Sequence, residues 1–168
     1  MDKPEAVLVD ANAIIEAVRT GCWAAITGQL RVETVEECRG ETLRGSPASH
    51  PGYVTVTPDD LARLHRVHAV DDIVRARFKL IYSGADGMDP GEQDLLAHAH
   101  ASAQDAWVLC SPDKASVRAA VKLGLGDRLR ALDSLVDAVG VRPSPSLLRQ
   151  YTTAWLTSFR TKVILEGL

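Results

Sequence analysis

Two runs of four apolar residues constrain this chain more than any other feature: Ala6-Val7-Leu8-Val9 and Trp107-Val108-Leu109-Cys110. A strand that is apolar at every position has no face to offer water, so it belongs inside a sheet covered on both sides. Around these runs, helix signals alternate with shorter apolar stretches. Asn12 to Val18 carries Ile14, Ile15 and Val18 at helical spacing and stops before Gly21. Leu30 to Val32 is a second strand candidate, and Thr34 is placed to cap a helix through about Leu43. Ser, Pro and Gly between Gly45 and Gly52 mark a loop, and Tyr53 to Thr57 has strand character. Thr57-Pro58-Asp59-Asp60 is a helix start with a capping threonine, proline in the first turn and two acids near the positive dipole end. Leu61, Leu64, His68 and Ile73 continue at helical spacing, and Asp71-Asp72 can open a separate helix to Tyr82. Asp89-Pro90-Gly91-Glu92 opens a helix to about Ser102, and Ser111-Pro112-Asp113 opens another to Leu123. A short strand near Leu129 to Leu132 and a small helix from Ser134 to Ala138 complete the series.

Strands interleaved with helices imply parallel β–α–β units. The expected fold class is α/β, a single α/β/α sandwich with a mainly parallel central sheet over residues 1–142. Pro143 and Pro145 set off a C-terminal helical extension, residues 143–168. Leu148, Tyr151, Trp155, Phe159 and Val163 form one stripe along it, which predicts packing on the domain or on a partner subunit rather than a nucleotide platform.

Composition excludes some functions. Nineteen Lys+Arg against 22 Asp+Glu give a net charge of −3, so the chain is not a basic module that holds nucleic acid by bulk charge. At 5% aromatic residues, a base-stacking platform is not expected as its main device. No apolar run approaches the roughly 18 residues that span a bilayer. Met1-Asp2-Lys3-Pro4-Glu5 has no signal-peptide character, and Cys22, Cys38 and Cys110 lack zinc-ligand spacing. A cytoplasmic protein with buried thiols and no membrane partner is the expectation.

The acids carry the chemistry. Ligands of parallel α/β sheets bind beyond the carboxyl ends of the strands. Asp10 directly follows the first apolar run, and Asp113 lies just past Cys110. Glu37, Glu92 and Asp94 lie in the first turns of helices that can converge on the same edge. Carboxylates sharing a small volume raise one another's pKa, and a divalent cation removes that conflict. Oxygen-only ligands favour Mg²⁺ or Mn²⁺, which points to hydrolysis of a phosphodiester. Each acid except Asp10 also has an ordinary explanation. Asp113 suits a helix start with Ser111 as cap, Glu92 a capping box with Asp89, and Glu37 a solvated face with Glu33, Glu36 and Glu41.

Val7-Leu8-Val9-Asp10-Ala11-Asn12-Ala13-Ile14-Ile15 resembles the opening of PIN-domain nucleases. Thr34-Val35-Glu36-Glu37-Cys38 is similar to that family's second motif, and Gly91-Glu92-Gln93-Asp94-Leu95-Leu96-Ala97-His98-Ala99 to the Gly-Glu form of its third. Val108 to Lys114, followed by Arg118-Ala119-Ala120, resembles its fourth, although Pro112 departs from the pattern. Order and spacing agree over roughly residues 6–142. The resemblance implies metal-dependent endonucleolytic cleavage of single-stranded RNA, by the toxin of a toxin–antitoxin pair or by a stand-alone processing enzyme. Asp10, Glu37, Glu92 and Asp113 would be the catalytic, metal-coordinating acids, with Asp94 sharing or replacing the role of Glu92. Asn12 and Ser111 would support the site. RNA, a homodimer partner and an antitoxin or other protein are the partners it implies. The alternative is a catalytically inactive interaction module that keeps the fold.

Positive charge gathers at Arg63, Arg66, Arg75, Arg77 and Lys79, and Lys114 and Arg118 follow Asp113. Arg63, Arg66, Lys114 and Arg118 are candidate RNA contacts, against which stands ion pairing with neighbouring acids. His65 with His68, and His98 with His100, have no third ligand at telling spacing and read as ordinary surface or partly buried histidines.

Overall fold

In a computed structural model the described residues are 6–44 and 54–167. Strand β1 (Ala6–Val9) leads through Asp10 into α1 (Ala11–Arg19), followed by α2 (Trp23–Gln29) and β2 (Val32–Val35). Next come α3 (Glu36–Arg44), α4 (Pro58–Leu61), β3 (Arg66–His68) and α5 (Asp72–Ile81). Helix α6 (Pro90–Ala101) leads to β4 (Trp107–Cys110), then α7 (Lys114–Lys122), α8 (Leu132–Val139) and α9 (Thr153–Glu166). The four strands form one parallel sheet in the order β3-β2-β1-β4, with Val7 opposite Val32 and Val9 opposite Cys110.

The apolar runs account for the layers. Side chains alternate across a strand, so Leu8 enters one core while Val7 and Val9 enter another. Leu8, Val35 and Leu109 pack beneath Phe78 of α5, Leu95 and Leu96 of α6, and Val117 of α7. On the opposite face Val7, Val9 and Val32 meet Ile14 of α1, Ile26 of α2 and Leu135 of α8. This is the expected α/β sandwich. Helix α9 lies on the first face, with Leu156 buried and Trp155 and Phe159 packed at the rim of that core. Among the described residues no helix is long and apolar enough to cross a membrane.

Four local readings need correction. Strand β2 runs Val32–Val35 rather than Leu30–Val32, so Thr34 is a buried strand residue and not a helix cap; its hydroxyl donates to the Val9 carbonyl at 2.6 Å. The helical stretch from Leu61 to Ile73 breaks after one turn. Thr57 and Asp60 form the capping box, but Arg66–His68 then becomes the edge strand β3. An edge strand of three residues, two of them polar, has neither an apolar run nor an alternating pattern long enough to register. Residues 54–57 form no strand, while Tyr53 and the 45–52 loop lie outside the described residues. Near Leu129 the sheet gains only a single parallel bridge to Leu109 instead of a full strand. Helix α2 carries no side-chain cap at Cys22, which is why the sequence does not announce it.

Candidate functional site

Asp10 sits where β1 ends and α1 begins. Its N–H donates to the Cys110 carbonyl at 3.2 Å, which fixes it against the end of β4. Its Oδ1 accepts from Ala13 N–H at 2.7 Å, making Asp10 the N-cap of α1, and its Oδ2 accepts from the Ser111 hydroxyl at 2.6 Å. Only 2% of the residue is exposed. Burial disfavours the anion more than these two hydrogen bonds favour it, and Asp113 and Glu41 add repulsion, so its pKa is raised from 3.8 to about 7.

Asp113 stands two residues past the end of β4 and caps α7, its Oδ1 accepting from Ala115 N–H at 2.7 Å. Its own N–H donates to Ser111 Oγ at 3.3 Å, so one hydroxyl connects the two aspartates. Glu92 reaches the same place from the first turn of α6. Burial raises its pKa first, then the charge and hydrogen-bonding carboxyl of Asp113, with Asp89 and Asp10 contributing. Asp89 makes no side-chain cap at the start of that helix, so the capping-box explanation of Glu92 does not hold.

The fourth member is Glu41, not Glu37. Glu41 Oε1 accepts from Gly91 N–H at 3.0 Å, at the start of α6, and its charge acts on Asp10. Its pKa is raised chiefly by burial, against which the Gly91 hydrogen bond works. Glu37, one turn earlier on α3, is instead ion-paired with Arg44 at 2.8 Å and over a third exposed. The solvated-face reading of Glu41 concealed it. Glu37 and Glu41 are separated by four residues and therefore share a helix face, so the available signal was that spacing rather than either residue alone.

Other candidate residues serve elsewhere. Asp94 is buried, but both its oxygens accept from Arg75 at 2.8 Å. Arg66 opens β3 beside Glu33 and lies at the amino edge of the parallel sheet, the opposite end from Asp10, with exposed Arg63 just before that strand. Asn12 is exposed on α1, and its carbonyl accepts from the Tyr151 hydroxyl at 3.3 Å. Lys114 and Arg118 lie over the Phe159 ring, and Arg118 also pairs with Glu166 at 3.3 Å. The histidines pair differently from their sequence spacing. His68 Nε2 is 2.7 Å from buried Glu33, and its ring stacks on His98 at 4.0 Å. Burial and His68 lower the pKa of His98 to about 4. Stacked rings hold their nitrogens side by side instead of aiming them at one point, so this pair does not form a metal cage.

Asp10, Glu41, Glu92 and Asp113 thus gather acid oxygens at the carboxyl edge, the chemistry a hard divalent cation takes. Among the described residues, no three acid, histidine or cysteine side chains are already arranged as ligands around one point. The donor types and the raised pKa values of Asp10, Glu41 and Glu92 fit such an ion, while the side-chain positions are those of acids that hold protons or backbone N–H groups. No protein-family model matches the chain, and no curated protein matches it.

Proposed function

We propose that the protein is a divalent-metal-dependent endoribonuclease that hydrolyses phosphodiester bonds of single-stranded RNA, as its four PIN-like motifs imply. The observation that carries the reading is the convergence of Asp10, Glu92 and Asp113 from β1, α6 and β4, with two of the three held against ionisation. Near neutral pH, burying acids whose ionisation is opposed costs the fold stability, whereas perturbed acids gathered at one sheet edge are what metal-assisted chemistry uses.

Asp10, Glu41, Glu92 and Asp113 would hold Mg²⁺ or Mn²⁺, which supplies Lewis-acid polarisation of the phosphate and an acidified water. Ser111 fixes the plane of the Asp10 carboxylate, and the Ala13 N–H holds its other oxygen. The raised pKa values of Asp10 and Glu92 mean that a cation held there would compete with their protons.

A non-catalytic interaction module is the competing reading. It is favoured by the caps that Asp10 and Asp113 provide for α1 and α7. Helix-start hydrogen bonds explain Asp10, Asp113 and Glu41, and leave Glu92, beside Asp113, without such a role. The test is incubation of a labelled RNA pool with purified protein in Mg²⁺, in Mn²⁺ and in chelator. The nuclease reading expects metal-dependent products that vanish in Asp10→Asn while the fold persists. Identical patterns for wild type and variant, across many RNAs and both metals, would favour the module.

A further inference from the structure

A groove of about 420 Å³ opens between the start of α7, the turn at 149–151 and one side of α9. Lys114, Arg149 and Lys162 line it together with Trp155, Ser158 and Phe159, and among the described residues no carboxylate does. Trp155 and Phe159 stack with centroids 5.5 Å apart and planes 12° from parallel. Both rings are half-buried, their inner parts against the core and the remainder in the groove. Packing explains why Leu156 and Val163 are buried on the same helix. It does not explain two large rings left partly in water beside three cations, in a chain with 5% aromatic residues and a net charge of −3.

The groove's lining lies close in sequence to the acids on two sides. On one, Lys114 directly follows Asp113; on the other, Tyr151 hydrogen-bonds Asn12, two residues from Asp10. Near-parallel rings flanked by cations complement a polymer that presents flat π-faces and phosphates in alternation. A duplex hides its base faces, and an acidic peptide lacks them.

We infer that this groove binds single-stranded nucleic acid, a base against Trp155, which Phe159 backs, and phosphates against Lys114, Arg149 and Lys162. It carries the strand that flanks the scissile phosphate, which rests on the nuclease reading; the binding itself requires neither metal nor cleavage. The stripe on the C-terminal helix is therefore more than the packing surface its sequence predicts.

The test is fluorescence anisotropy in chelator, with short labelled single-stranded RNA, single-stranded DNA, duplex RNA and a glutamate-rich peptide. Single strands are expected to bind and duplex and peptide not. With up to three phosphate contacts, log affinity should fall against log salt with a slope of about −2. Arg149→Glu with Lys162→Glu should weaken binding at least tenfold and flatten that slope. Trp155→Leu should weaken it by roughly 5- to 100-fold, with Trp155→Phe restoring most of the loss and so excluding a folding defect. Tight binding with no cleavage by any metal-loaded sample would sink the nuclease reading and leave the groove standing. The groove assignment is overturned if the charge-reversed protein binds RNA unchanged, if duplex binds equally well, or if only the peptide binds.

Discussion

The Ser111 hydroxyl donates to Asp10 Oδ2 at 2.6 Å and joins the ends of β4 and β1 across 101 positions of sequence. Ser111 Oγ in turn accepts from the N–H of Asp113. One small side chain thus sets the geometry between the two aspartates that end neighbouring strands. It also favours the Asp10 anion, against the burial that disfavours it.

Ser111→Ala removes that favourable contact, so the Asp10 pKa should rise above its present value of about 7. Carboxyl carbon NMR titration of Asp10 reads this directly. The fold should lose about 1 kcal/mol, the usual worth of one buried hydrogen bond. Ser111→Thr should keep the titration near wild type.

Asp10 also links stability to pH, with a sign opposite to that of a salt-bridged acid. Its folded pKa, about 7, lies above the ordinary value of 3.8, so between these values the native protein binds a proton the unfolded chain releases. The stabilisation is complete below about pH 4 and is lost as pH rises through about 7. Glu92, raised in the same direction, adds to the trend. At roughly 1.4 kcal/mol per pH unit, the loss from Asp10 at pH 8 is of order 4 kcal/mol. Asp10→Asn keeps an acceptor for Ala13 and removes the charge. Its melting temperature should exceed wild type at pH 8, and the difference should close or reverse by pH 5. A wild-type melting curve independent of pH over this range contradicts the raised pKa.

The residues that fill the middle of the sheet were the legible ones. The runs at 6–9 and 107–110 are covered on both faces, and a strand apolar at every position leaves a mark that a single sequence carries. Asp10 and Asp113 were legible for the same reason, because a strand end fixes where the next residue goes. Glu41 was not, since a helix offers two glutamates on one face and the choice depends on where α6 begins in space. The edge strand Arg66–His68 was also hidden, because its identity comes from pairing with Glu33 to Val35 and not from its own residues. The likeness of the motifs led to Glu37 and Asp94, whose arginine partners lie 7 and 19 residues away.

Gly91 offers a way to move Glu41 without touching its chemistry. A Cβ at position 91 would come within 2.5 Å of the Glu41 carboxylate, the free end of a flexible side chain. Gly91→Ala should therefore fold, with stability changed by less than about 1 kcal/mol, since alanine also favours the helix. The displaced carboxylate should leave Mn²⁺ affinity lower by roughly tenfold, as a thermal-shift titration would show. Glu41→Gln should reproduce the loss, and Glu37→Gln should not.

Asp94 separates stability from chemistry. Arg75→Ala leaves a buried carboxylate facing no cation, which should cost about 2 kcal/mol or more in denaturant unfolding. Metal affinity and RNA cleavage, measured below the lowered melting point, should be those of wild type. A loss of metal binding equal to that in Asp10→Asn would instead place Asp94 among the ligands.

Protons and metal should compete for the same oxygens. Near pH 6.5 Asp10 is largely protonated, and Glu92 is raised in the same direction, so a cation binding there must displace about one to two protons. Calorimetric titration with Mn²⁺ in two buffers of different ionisation enthalpy counts them. As pH increases toward 7, affinity should rise about tenfold per pH unit for each proton displaced, then flatten above pH 8. In Asp10→Asn the count should fall by about one and the pH dependence should weaken with it. Binding that releases no protons at pH 6.5 would put the ion somewhere other than Asp10 and Glu92, and the metal centre would have to be sought away from the carboxyl edge of the sheet.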